Sequence, residues 1–239
     1  MTTRRLAVYL LLLSIAGCSN GNGGGEDAAD NDTGEEAKDG DTSHEEDTDV
    51  DPVDEACARD GDDKTTLVFS NRCDSELTFE GSDIESGTLK PGASACRHVG
   101  SATEPISSKR YWGYIGPDPG GEHHTLAEFT LNTDFYDFDW YNISHVDAHN
   151  LPMAILPLAM ADCPELVCAA DLLSGCPEEG RFYIDDQLVS CVSPDRNNPD
   201  SAVARYFEEG CSDAYSWSGD DAESMAACAG EDYGIVFCP

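Results

Sequence analysis

Ten cysteines lie beyond residue 18, at Cys57, Cys73, Cys96, Cys163, Cys168, Cys176, Cys191, Cys211, Cys228 and Cys238. Their number is even, they are widely spread, and no CxxC pair occurs among them. In an exported chain this pattern predicts five disulfides and argues against a zinc site or a redox motif. Disulfides that close long loops stabilise by on the order of 3 kcal/mol each. The chain is therefore expected to fold as a stapled, loop-rich domain.

Export is legible at the N-terminus. Arg4 and Arg5 precede an apolar run over residues 6–15, too short to span a bilayer and right for a secretory signal. Ile15-Ala16-Gly17-Cys18 has the form of a bacterial lipobox, whose cysteine is acylated and becomes the mature N-terminus. Several acyl chains, palmitate among them, anchor stably where one is marginal. Residues 1–18 thus read as a lipoprotein signal peptide with lipidation at Cys18. Ser19, in place of Asp, directs the expectation to the outer membrane or the cell surface.

Residues 19–56 carry fifteen Asp or Glu against one Lys, hold GNGGG near their start and contain no aromatic residue. Such a segment buries too little apolar surface to offset its ordering entropy, and its like charges extend it, so it reads as an acidic disordered tether. The Asp-rich run over 47–54 lacks the glycine and spacing of an EF-hand loop. The whole chain carries −35, and residues 57–239 hold 33 acids against 10 Lys or Arg, or −23. A domain this acidic repels nucleic acid and anionic lipid, and leaves neutral polysaccharide as an allowed partner. It reads as a monomer.

Many short extended runs separated by Gly, Pro, Asn and Asp turns predict a mainly β fold of the sandwich or barrel class. The runs are 64–70, 76–81, 109–115, 124–132, 135–144, 153–158, 181–185 and 233–238. One helix is expected after Asp200 or Ser201, with Val203, Tyr206 and Phe207 as its apolar stripe and Gly210 at its end. A shorter helical turn is expected over residues 169–173. In TLAEFTLN, Ala127, Phe129 and Leu131 share one strand face, so Glu128 points to the other. Asp147 follows in the Val-Asp-Ala-His-Asn turn, and a strand carboxylate near a loop carboxylate is how a sheet-built cleft presents paired acids. His123 and His124 beside Glu122 form no metal site if they lie on a strand, where neighbours point to opposite faces. No P-loop or GxSxG occurs, and no cofactor is called for.

Six ordered blocks then carry a resemblance: LVFSNRCDSELTF, TLAEFTLN, DWYNISHVDAHNLPM, CAADLLSGCP, ARYFEEGCSDAYSW followed by Asp220 and Asp221, and YGIVFCP. From about Thr65 to the end, the chain resembles the thaumatin-like proteins, the pathogenesis-related class 5 type. The resemblance implies a flattened β-sandwich with a small disulfide-rich loop and helix lobe over 163–228, and an acidic cleft between them. It implies the pairs Cys73–Cys238, Cys163–Cys228, Cys168–Cys211 and Cys176–Cys191. Cys57–Cys96 is left by elimination and is not implied by the family. Between Tyr114 and Thr125 only IGPDPGGEHH remains, so this looks like a reduced form with one end of the cleft more open.

The family's cleft holds an Arg, a Glu and three Asp. Arg110 matches the Arg, Glu128 the Glu, Asp147 the second Asp and Asp220 (or Asp221) the third. Asn142 stands where the first Asp is expected, and Asp139 cannot replace it from the opposite strand face. Of the aromatics beside these motifs, Tyr111, Trp112, Trp140, Tyr141 and Trp217, one or two are candidates to stack on sugars. By resemblance, the expected function is cell-surface binding of neutral carbohydrate, β-1,3-glucan first. Alternatives are a weak endo-β-1,3-glucanase with Glu128 as acid and Asp147 as base, and a protein-binding or enzyme-inhibitor module.

Overall fold

The first strand, Lys64–Asn71 (β1), is buried at seven of its eight positions, because apolar side chains leave both of its faces. Leu67 and Phe69 enter the main core, while Val68 joins Ala154, Leu158 and Val236 in a smaller cluster on the other side. The computed structural model describes residues 62–133, 138–158, 162–221 and 224–239. Cys18, the signal segment, the tether and Cys57 lie outside these residues, and with Cys57 the Cys57–Cys96 pairing.

After β1 come β2 Leu77–Gly81, β3 Gly87–Leu89, β4 Ser94–Ser101 and β5 Ile106–Tyr114. β6 Leu126–Thr133, β7 Phe138–Ser144, β8 Ala148–His149, β9 Met153–Pro157 and β10 Leu166–Cys168 follow. The lobe adds β11 Arg181–Ile184, β12 Gln187–Val192, helix α1 Ala202–Gly210 and β13 Ala214–Tyr215, before β14 Ala226–Cys228 and β15 Tyr233–Phe237. One sheet runs β10-β9-β15-β1-β4, with β15 parallel to β1 so that Asn71 faces Phe237. The second runs β13-β7-β6-β5-β2-β3, with β14 also pairing β7, and a small sheet joins β11, β12 and β8.

Alternation decides what fills the space between the two large sheets. Phe79, Tyr111, Phe129 and Tyr141 from the second sheet meet Phe69 and Tyr233 from the first, with the Phe69 and Phe79 rings stacked at 4.5 Å. Asp139 lies on this core side, as its parity with Tyr141 requires, and accepts from Tyr233 Oη at 2.6 Å and Asn132 N at 2.7 Å. Asn132 takes a left-handed φ of 55° at a β-bulge, and its amide donates to Thr65 Oγ1 and the Ser101 carbonyl. That corner fastens one sheet to the other.

Among the described residues, four disulfides join Cys73–Cys238, Cys163–Cys228, Cys168–Cys211 and Cys176–Cys191. Helix α1 begins where Ser201 Oγ accepts from Ala204 N at 3.0 Å, and it buries Val203, Ala204 and Phe207. Ser201→Ala is expected to cost about 1 kcal/mol in urea unfolding. The turn expected over 169–173 is not helical: Asp171 Oδ1 accepts from Leu173 N and Ser174 N, which closes an Asx turn instead. β4 and β12 were not expected either. β4 (SACRHVGS) is an edge strand, half-buried and polar on both faces, so it carries no alternation. β12 pairs β11 as a hairpin whose turn is Asp185-Asp186, both at positive φ.

Candidate functional site

Strand register places three of the candidate residues in one row. Arg110 on β5 faces Glu128 on β6, and Glu128 faces Asn142 on β7. Because Tyr111, Ala127, Phe129, Tyr141 and Ile143 enter the core, the alternating residues Arg110, Glu128 and Asn142 must leave the sheet on its other face. Arg110 Nε lies 3.0 Å from Glu128 Oε1, and Asn142 Nδ2 donates to Glu128 Oε2 at 3.1 Å. Both oxygens of the carboxylate are thereby engaged. Had Asn142 been an aspartate, two carboxylates would meet here and no donor would be available on that side.

The row opens into a groove of about 210 Å3, where Thr130, Trp140 and Met225 join Arg110, Glu128 and Asn142. Trp140 and Thr130 are register partners on the same outer face. Of the other aromatics, Tyr111 and Tyr141 belong to the core, and Trp112 lies half-buried against His124. Trp217 is also half-buried.

Asp147 sits in the turn before β8 with its side chain 13 % exposed, and Arg196 Nη1 lies 3.3 Å from its Oδ1. Burial pushes the Asp147 carboxyl above its ordinary value; Arg196 pulls it down, Glu122 pushes it up, and Arg110 and Glu128 act more weakly in opposite senses. Asp147 therefore shares one electrostatic field with the Glu128 row. Glu122, on the short 116–124 loop, reaches Arg110 at 3.7 Å.

Asp220 accepts from Ser216 N at 3.0 Å, and Ser216 Oγ lies 3.1 Å from the same oxygen and 3.0 Å from Glu208 Oε2. Its carboxylate thus closes its own turn. Asp221 accepts from Tyr215 Oη at 2.9 Å. Burial first, then Asp221, Asp220 and Glu128, push the Tyr215 phenol up, so this loop borders the row. His123 and His124 diverge: His123 packs on Phe182, while His124 is buried with Nε2 3.0 Å from Asp118 Oδ1. Among the described residues no three metal-ligating side chains come together.

Arg196 and Glu122 are site residues that the sequence reading missed. Both lie on loops, where no periodicity shows direction. The sole local signal was charge: Glu122 falls in the shortened 116–124 loop, and Arg196 is one of 10 cations in residues 57–239.

The architecture is a mainly β sandwich of mixed sheets carrying a small disulfide-rich loop and helix lobe. Residues 118–201 match the model of the Thaumatin family. A pathogenesis-related thaumatin-like protein 3.5 of Cryptomeria japonica is 34% identical over 133 residues, 48% of this chain and 54% of that protein. An alpha-amylase/trypsin inhibitor of Zea mays is 35% identical over 132 residues, 50% of this chain and 64% of that protein. The chain thus spans about half to two thirds of the length of these relatives. The thaumatin-like xylanase inhibitor TLXI superposes with a TM-score of 0.38 at 16% identity, over 72% of this chain and 99% of its own.

Proposed function

We propose that this domain binds neutral polysaccharide, β-1,3-glucan first, through the cleft of Arg110, Glu128, Asn142 and Asp147, without cleaving it. The observation that carries this reading is the state of Glu128. An acid catalyst must carry a proton on an oxygen free to meet the leaving group. Here one Glu128 oxygen faces Arg110 Nε and the other accepts from Asn142 Nδ2. Such a carboxyl has both oxygens already occupied by donors and is well suited to orient its neighbours toward sugar hydroxyls. Trp140, in the same groove, offers an apolar face for a pyranose ring. Export and acylation at Cys18 belong to the same reading, with the acidic tether holding the domain off an outer membrane.

Asp147 keeps the hydrolytic alternative specific. Burial raises its carboxyl, the direction in which a glycosidase tunes an acid catalyst. The third reading, an inhibitor, follows the name of the Zea mays relative.

Full-length protein incubated with insoluble β-1,3-glucan separates these readings. Binding without release of reducing ends is expected. Glu128→Gln keeps the shape and loses a half-exposed ion pair of about 1 kcal/mol, so binding should weaken by no more than about fivefold. Release of reducing ends that vanishes in Glu128→Gln selects the hydrolase, and neither binding nor release selects a protein partner.

A further inference from the structure

Arg196 lies outside the residue set that the family resemblance implies, yet its guanidinium stands 3.3 Å from Asp147 and is the charge that acts most strongly on that carboxyl. It stands on residues 193–200, the segment joining β12 to α1, and that segment is tied at its start and at its middle. Ser193 N donates to the Asp147 carbonyl at 2.8 Å. On the other side, Ser218 N donates to the Arg196 carbonyl at 2.8 Å, and Ser218 Oγ donates to Asn197 Oδ1 at 2.7 Å. Within the segment, Asp195 Oδ1 accepts from Asn197 N, and Asn198 Oδ1 accepts from Asp200 N. The segment therefore bridges the Asp147 turn and the 215–221 loop that carries Asp220.

These ties change the worth of the ion pair. An arginine that is 45% exposed ordinarily gives up much of a salt bridge's gain to side-chain ordering and solvent screening. Here the backbone is already held, and the partner carboxylate is largely out of water. The charges facing Asp147 are Arg196, Glu122, Arg110 and Glu128. Arg110 already serves Glu128 and Glu122. Without Arg196, a mostly buried carboxylate faces two acids with only that shared cation to oppose them.

We propose that Arg196 is a positioning residue of the cleft: it clamps the Asp147 carboxylate as a hydrogen-bond acceptor, so that the cleft takes a ligand of neutral hydroxyls. This rests on the glycan-binding reading above. The arrangement divides the charges into Arg110 with Glu128 and Glu122, and Arg196 with Asp147. An anionic glycan has to break one of these pairs to find a cation. A neutral glycan leaves both intact and uses the acceptors that remain.

The test is a carboxyl 13C NMR titration of the full chain, with Asp147 assigned through the Asp147→Asn variant and glucan binding measured over the same pH range. Removing the cation lets Asp147 protonate earlier on acidification. Arg196→Gln should raise its midpoint by about one pH unit, and the pH at which binding is half lost should rise with it. Arg196→Lys should return both toward the wild-type values, which a purely structural loss would not do. An unchanged Asp147 midpoint in Arg196→Gln overturns the clamp, even where wild-type protein binds glucan. A shifted midpoint in a protein that binds no glucan leaves the clamp standing and removes the glycan reading instead.

Discussion

The Cys73→Ser/Cys238→Ser double variant is expected to lose about 2–5 kcal/mol of stability, with a correspondingly lower urea midpoint by tryptophan fluorescence. This disulfide closes a loop of 165 residues in sequence, so it restricts the unfolded chain over most of the folded part. It also stands where the fold is least local. β15, the last strand, pairs in parallel with β1, the first, and the bridge sits just past the register pair Asn71 and Phe237. Arg72 N donates to the Phe237 carbonyl at 3.0 Å, and Cys238 N to the Pro152 carbonyl at 2.9 Å. With the bridge gone, those bonds, the burial of Phe237 and the pairing of β15 with β1 and β9 still hold the C-terminus, so the loss is partial. Cys176–Cys191 closes only 15 residues, so its removal should cost less, at most about 3 kcal/mol. Equal losses for the two bridges would show that loop length does not govern the effect.

Acid should unfold the domain through two histidines that no proposed chemistry uses. His145 and His149 are wholly buried, with His149 Nδ1 3.2 Å from His145 Nε2 and both rings against Phe207 of α1. The outer nitrogens, His145 Nδ1 and His149 Nε2, have no hydrogen-bond partner among the described residues. Burial pushes His149 down to about 3, and burial together with His149 pushes His145 well below the ordinary imidazole value.

The unfolded imidazoles take up protons below about 6.5, while the folded ones stay neutral. Stability is thus complete above that pH and falls on acidification, by up to about 1.4 kcal/mol per pH unit for each ring. Between pH 7 and pH 5 the pair accounts for up to about 4 kcal/mol. His124, also pushed down by burial, adds to this loss. Asp139, Asp147 and Asp232 act in the opposite sense, because their raised carboxyls take up protons in the folded state before the unfolded state does near 3.8. Urea midpoints should therefore fall from pH 7 to pH 5 in wild type and fall much less in His145→Gln/His149→Gln. The same slope in both proteins would refute this origin.

Much of the site was legible because strand parity is local. In TLAEFTLN the period of two sends Ala127, Phe129 and Leu131 inward and Glu128 outward, whatever the rest of the chain does. The same parity kept Asp139 on the core side and away from Asn142. Ser201 announced α1 through its own side chain, which the helix start requires. Within SHVDAHN, by contrast, the sequence shows only a turn around Asp147, and nothing local marks His145 and His149 as core. They are buried because Phe207, from a helix much later in the chain, packs over them. β4 escaped notice for a related reason: an edge strand with polar faces relies on its partner β1 for its existence.

The sequence by itself determined on which face of β6 Glu128 lies, that Asp139 and Asn142 leave β7 on opposite faces, and which cysteines are available for bridging. Those properties depend on chemistry and on a two-residue period, both written within a few positions of each residue. Only the tertiary structure decided that Glu128 stands between Arg110 and Asn142 with both oxygens engaged, since that depends on the register of three strands. It alone brought Arg196 to Asp147, because the approach of two loops is set by the backbone ties at Ser193 and Ser218, and no local pattern carries that information.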